Sequence, residues 1–417
     1  MGQCCSNDDH APDNFGINNR STHQKSAKAR SSGTVSSQPA GRNGRHEIFR
    51  FFMVGMGSAG KSTVIKQLQK LCHDRPDIYK MFDSDWRPIN PNFATHEKER
   101  YRRIIRRNVF DAIAVLEQYV QEWSLRPSSS SAADVVLRVA SGLSGPDDLN
   151  FDKNLIDALM ELIQDPAIQK ALDRRAEMLG THQLADGALH YLKHSKMTEI
   201  FDEVYVPNED DIVHSRSPTT GIQDYRFGIR DMWLQIHDIG GQKVERGKLL
   251  SYINNWVSAD RSGYRNFILY VISMAEYNIP HPEHAGITLM DESVMMLQNI
   301  LELQPIQNCG LLLFFNKDDV FRQKIAQCAT NESLRADTLR IFEGYVKEKS
   351  EITHKIGQSA IAKKFTKAMA EVKSKRYKGI YHKFTCAIDS KMMSSIFTTI
   401  ENEIINHTLD TGAFLFS

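Results

Sequence analysis

Four short clusters in this 417-residue chain combine glycines, a lysine, hydroxyls and carboxylates at spacings suited to holding phosphate and a purine base. The first is Gly55-Met56-Gly57-Ser58-Ala59-Gly60-Lys61-Ser62, followed by Thr63, in the pattern G-x-x-x-x-G-K-S. Glycines there let backbone N–H groups converge on phosphate oxygens, helped by the positive end of a helix dipole. The Lys61 ammonium would reach the β- and γ-phosphates, and the Ser62 hydroxyl would ligate Mg²⁺. A chance glycine-rich turn is the bland alternative, and ordinary residue frequencies give such a match in roughly 1–2% of chains this long. By itself the cluster specifies a nucleoside triphosphate but no base.

The second cluster is Asp238-Ile239-Gly240-Gly241-Gln242. Asp238 is placed to hold Mg²⁺ through water, the Gly241 N–H to bond a γ-phosphate oxygen, and Gln242 to orient an attacking water. The third, Asn316-Lys317-Asp318-Asp319, offers a carboxylate at Asp319 that can accept from both guanine N1–H and the exocyclic amino group. Asn316 would read the other edge of the base and Lys317 would lie along it. The fourth, Thr385-Cys386-Ala387, could present a backbone N–H to guanine O6. Taken singly, these are a tight Gly-Gly turn, a solvated polar turn and a small buried strand end.

Each cluster needs a strand end to hold it, and the hydrophobic pattern supplies one. Residues 48–54, 232–237, 267–272, 311–315 and 380–386 are short apolar or alternating runs that read as strands. Helix formers follow Gly60 to about Leu71, and further helices are expected over 291–303 and 359–373. Strands alternating with helices imply a mostly parallel sheet covered on both faces. Ligands of such sheets bind outside the carboxyl ends of the strands, so all four clusters should meet at one site. Between the first strand and the rest lies a block, 75–205, in which Ile105, Val109, Ala112, Ile113, Leu116 and Val120 recur at helical spacing. No strand is expected in that block, which reads as an inserted all-α domain.

Bulk properties narrow the class. A net charge of +1 with 25% charged residues argues against nucleic acid as the main partner. The six cysteines are scattered apart from Cys4-Cys5, without metal-ligand spacing, which fits a reduced intracellular protein. No run of eighteen apolar residues and no secretory h-region is present. Residues 1–46 are poor in apolar periodicity and are expected to be disordered.

With its clusters in this order and a helical insert after the first, the chain resembles heterotrimeric G-protein alpha subunits rather than small Ras-like GTPases. The run from Tyr205 through Pro207, Arg216 and Thr219 to Ile222 is similar to that family's linker and first switch. The resemblance covers about 47–417. It implies a Ras-like P-loop GTPase domain with a parallel-rich sheet over 47–74 and 206–417, an inserted helical domain over 75–205, GTP/GDP and Mg²⁺ as ligands, and GTP hydrolysis. It also implies that Arg216 is a built-in arginine finger, catalytic with Gln242, and that Thr219 is the second hydroxyl on Mg²⁺ beside Ser62. The family also serves as the standard example of an arginine supplied in cis, worth about 10³–10⁵ in rate.

The start, Met1-Gly2-Gln3-Cys4-Cys5-Ser6, matches an N-myristoylation signal at Gly2, with Cys4 and Cys5 as palmitoylation candidates. One acyl chain binds membranes only marginally, and a second makes anchoring stable. The resemblance thus implies a lipidated 1–46 segment on the cytoplasmic face of the plasma membrane, a G-protein-coupled receptor, an effector and a beta-gamma dimer. Four departures stand out: Ser58 where the family has glutamate, Pro218 for a lysine, Leu249 for a tryptophan, and no charged amphipathic helix in 7–45. The last counts against the beta-gamma dimer. The first leaves Arg216 without its usual carboxylate, so GDP release is expected to be fast. A guanine-nucleotide scaffold with little turnover and a P-loop ATPase or kinase are the rival readings, and Asp319 argues against the second.

Overall fold

The computed structural model describes residues 47–412, apart from 92, 94, 144–148, 180–183, 220, 241–250, 254–255, 257–263, 347–350, 373–379 and the side chains of 403–412. Gly2, Cys4, Cys5, Gly241, Gln242 and Leu249 therefore lie outside the described residues.

One eight-stranded sheet organises the chain, in the order β3-β2-β4-β5-β1-β6-β7-β8. Strands β1 (Ile48–Gly55), β5 (Met232–Ile239), β6 (Tyr264–Ser273), β7 (Gly310–Asn316) and β8 (Ile380–Phe384) are all parallel. Central β1 and β7 are buried along nearly their whole length, as continuous apolar strands covered on both faces should be. Register brings their carboxyl ends level: Met53 lies opposite Asp238, Gly55 opposite Val271, and Ser273 opposite Asn316.

The other edge is antiparallel, and here the sequence reading needs correction. Strands β2 (Tyr79–Phe82) and β3 (Pro88–Ile89) fall inside the block expected to be strandless, and β4 (Ile222–Ile229) escaped notice. β2 pairs with β4, and β4 with β5. Tyr79 enters the sheet core, Phe82 packs against Trp86 and Trp233, and Lys80 is exposed, a pattern too short to stand out. Tyr225, Phe227 and Ile229 do alternate in β4, but Asp224 and Arg226 between them disguise it as a loop.

Helices α1 (Lys61–Asp74) and α13 (Ser390–Gly412) cover one face of the sheet. Helices α9 (Leu289–Leu301), α10 (Asp318–Gln327) and α12 (His354–Glu371) cover the other, with α11 (Glu332–Ile341) beside them. Among the described residues seven α-helices lie between β3 and β4: α2 (Thr95–Glu122), α3 (Ser130–Gly142), α4 (Lys153–Leu162), α5 (Pro166–Asp173), α6 (Ala188–Tyr191), α7 (His194–Phe201) and α8 (Glu209–His214). Most of them share a core of their own, running from Ile105 to Tyr205, to which no sheet residue contributes. Each large aliphatic or aromatic side chain buried there contributes about 1.5–3 kcal/mol, so α2 is held firmly along its length by Ile105, Val109, Phe110, Ile113, Leu116 and Val120.

Candidate functional site

The loop between β1 and α1 closes on two glycines that no other residue replaces. Gly55 has φ +150° and Gly60 φ +96°, conformations that L side chains rarely adopt. A Cβ on Gly55 would lie 2.2 Å from the Val271 carbonyl oxygen, and one on Gly60 2.3 Å from Asn316 Nδ2. Gly60 caps α1 without a side chain, and no acidic residue occupies the first helical turn. The unpaired N–H groups and positive dipole end of α1 therefore face the loop. Lys61 is buried and donates to the carbonyls of Gly55 and Met56 at 2.9 and 3.0 Å.

All four expected clusters, as far as they are described, line or adjoin one cavity of about 790 Å³, within the range of small-molecule sites. Met56, Gly57, Ser58, Gly60, Lys61, Ser62 and Thr63 face it, as do Arg216, Thr219, Asn316, Lys317, Asp319, Cys386 and Ala387. Asp238 stands behind Ser62. The Ser62 hydroxyl lies 2.5 Å from Thr219 Oγ1 and donates to Asp238 Oδ2 at 3.1 Å. Asp238 is only 1% exposed, and its other oxygen has no hydrogen-bond partner among the described residues. Burial pushes its pKa up to about 6, against the pull of Lys61 and Ser62.

A buried carboxylate in that state is stabilised by a cation beside it. Two hydroxyls and one carboxylate form an oxygen set of the kind Mg²⁺ takes when phosphates and waters complete its shell. Among the described residues no group of three His, Cys, Asp or Glu side chains could hold a metal instead. The residues present fit Mg²⁺.

At the base end Asn316 is already engaged. Its Nδ2 donates to the Ala59 carbonyl at 2.8 Å, and its Oδ1 accepts from Thr385 Oγ1 at 3.1 Å and from the Ala387 N–H at 3.0 Å. Asn316 thus ties the phosphate loop to the loop after β8, leaving one amide hydrogen for a base. The Ala387 N–H, one of those expected to reach the base, here donates to Asn316. Burial, and then the adjacent Asp319 carboxylate, pushes the Cys386 thiol up to about 12, so Asp319 faces this loop.

Three polar residues at the site carried no signal in the sequence. Glu276, 4% exposed just beyond β6, accepts the Ser58 hydroxyl and lies 3.9 Å from Lys317 Nζ. Asp186, from the helical bundle, pairs with Lys317 Nζ at 2.6 Å. Burial opposes the Lys317 charge, and these two carboxylates more than compensate, holding its pKa above the ordinary lysine range. Asn108, on α2, meets the backbone of Arg216. The Ser58–Glu276, Lys317–Asp186 and Asn108–Arg216 contacts each span more than a hundred residues, beyond the reach of any spacing rule.

The family profile described as G-protein alpha subunit matches residues 23–404. The chain belongs to the G-protein alpha subunit family. It is similar to guanine nucleotide-binding protein subunit alpha-15 of Homo sapiens, with 26% identity over 369 residues covering 87% of each chain. The Mus musculus protein of that name is 26% identical over 376 residues, covering 87% of this chain and 88% of its own. As a G-protein alpha subunit the chain is a GTP-binding, signal-transducing switch and a GTPase. Receptors, effectors and a beta-gamma dimer are the partners of the family in general.

Proposed function

We propose that this alpha subunit turns over GTP in the 790 Å³ cavity with Arg216 and Gln242 as its catalytic residues. What supports the reading is convergence: residues spread from 56 to 387 along the chain line one cavity at the carboxyl edge of a parallel sheet. The phosphates lie on the N–H groups of 55–63 and the Lys61 ammonium, and Asp319 accepts from guanine. Ser62 and Thr219 would hold Mg²⁺ directly and Asp238 through water. The ion would neutralise phosphate charge and draw the two hydroxyl-bearing segments together. Phosphoryl transfer needs little covalent help from protein, so positioning and charge dominate. Arg216 stabilises charge developing on the transferred group, Gln242 aligns the water, and hydrolysis releases the segment around Thr219.

Arg216→Cys and Gln242→Leu are expected to keep nucleotide affinity and slow single-turnover hydrolysis by about tenfold or more, because both act on the transition state. Unchanged rates in both would remove them from the reaction. Tight GTP binding by a wild type that does not hydrolyse would favour a scaffold.

Acylation at Gly2, Cys4 and Cys5 completes the proposal by placing the switch on the cytoplasmic face of the plasma membrane. Among the described residues no helix is long and apolar enough to cross a membrane. Cell fractionation with Gly2→Ala still fully membrane-bound would reveal a different anchor.

A further inference from the structure

Arg216 is exposed, sits in the link between α8 and β4, and makes no ion pair among the described residues. A long side chain on such a link has many rotamers to lose, yet misplacement by about 1 Å can cost a hundredfold in rate. Its backbone, however, is held from two sides. Ser215, just before it, is buried, and its carbonyl and hydroxyl oxygens accept from Lys66 Nζ at 2.8 and 2.9 Å. Lys66 stands on α1, the helix that starts at the phosphate loop.

The second hold comes from the helical bundle. The Arg216 N–H donates to Asn108 Oδ1 at 2.7 Å, and Asn108 Nδ2 donates to the Arg216 carbonyl at 2.9 Å. A carboxamide that both accepts from and donates to one residue fixes the rotation of that backbone segment as well as its distance. Asn108 is itself immobilised, because the next residues on α2, Val109 and Phe110, are 0% and 1% exposed in the bundle core.

We propose that Asn108 is a positioning residue for GTP hydrolysis: it holds the Arg216 backbone so that the guanidinium starts from one fixed point beside the transferred phosphoryl group. This rests on the reading of Arg216 as the residue that stabilises that group. Asn108 does not line the cavity, and its effect passes through Arg216.

Single-turnover hydrolysis in the wild type, Asn108→Ala, Arg216→Cys and the double variant tests the idea. Asn108 is partly exposed and alanine is the better helix former, so the fold should survive. Asn108→Ala is expected to slow hydrolysis about tenfold, as loss of two neutral hydrogen bonds allows. Affinity for GDP should stay within about twofold of wild type, and in the Arg216→Cys background the substitution should slow nothing further. Asn108→Asp, which keeps the acceptor and loses the donor, is expected to slow hydrolysis as well. Either variant at the wild-type rate overturns the clamp. So does an equal slowing with and without Arg216, which would mean Asn108 acts through the fold. An unimpaired Arg216→Cys would instead sink the catalytic role of Arg216, a separate failure read from a separate variant.

Discussion

Ser58 stands where its family carries a glutamate, and on sequence grounds that loss should loosen GDP. The pocket nevertheless has a carboxylate at this point, because Glu276 accepts the Ser58 hydroxyl from the far side of the phosphate loop. Two carboxylates at that range do not both ionise. A glutamate restored at 58 would therefore oppose Glu276 before it could pair with Arg216. Ser58→Glu alone is expected to leave GDP release no slower than wild type. Combined with Glu276→Gln it should slow release about tenfold relative to Glu276→Gln alone, the effect of a partly shielded pair contributing about 1.4 kcal/mol. Dissociation of fluorescent GDP at matched salt and Mg²⁺ separates the cases. If Ser58→Glu by itself slows release tenfold, Glu276 plays no part in the latch.

Among the elements, the short helix α8 depends on one side chain. Asp211 is fully buried and accepts from His190 at 2.7 Å, Lys196 at 3.0 Å and Tyr205 at 2.9 Å, so α6, α7 and the linker meet on it. It also closes the capping box with Asn208 that starts α8, and α8 delivers the chain to Ser215 and Arg216. Burial alone would raise its pKa, but the His190, Lys196 and Tyr205 bonds outweigh it and bring 3.8 down to about 2. That difference is about 2 kcal/mol of stability. Because the folded value is the lower one, the contribution is complete above about pH 4 and is lost as pH falls from about 4 towards 2. Asp211→Asn should lower the urea midpoint at pH 7 and do so by roughly half as much at pH 3. A gap of the same size at both pH values would show that Asp211 acts by shape rather than by charge.

For the whole molecule, the question is what keeps the helical bundle over the nucleotide cavity. The Lys317–Asp186 pair joins the bundle to the base-reading loop at 2.6 Å, with side chains 16% and 31% exposed. A pair that solvent still reaches at Asp186 contributes about 1 kcal/mol and is partly screened by salt. Asp186→Ala is expected to speed GDP release by about two- to fivefold at low ionic strength, with the difference fading near 1 M salt. A larger, salt-insensitive effect would mean that Asp186 supports the bundle fold instead. Lys317 would still face Glu276, so guanine selectivity should not change in this variant.

The sequence by itself determined the ligand class, the central parallel strands and the place of the glycine loop between β1 and α1. Those features are local. Gly55 and Gly60 are required by their own backbone angles, β1 and β7 announce themselves as largely apolar runs, and each cluster begins at the carboxyl end of a strand. Arg216 and Thr219 became legible only through a resemblance, since an exposed loop arginine has no pattern of its own. The antiparallel edge was hidden because a four-residue strand and a strand interrupted by Asp224 and Arg226 are too weak for periodicity to register. What only the tertiary structure decided are the partners: Glu276 for Ser58, Asp186 for Lys317, Asn108 for Arg216, and the carboxamide of Asn316 shared between two loops. These pairs are separated by 69 to 257 positions. Nothing local selects such partners: the neighbouring parallel strands β1, β6, β7 and β8 bring their end loops together, and the bundle with its own hydrophobic core sets Asp186 and Asn108 against them.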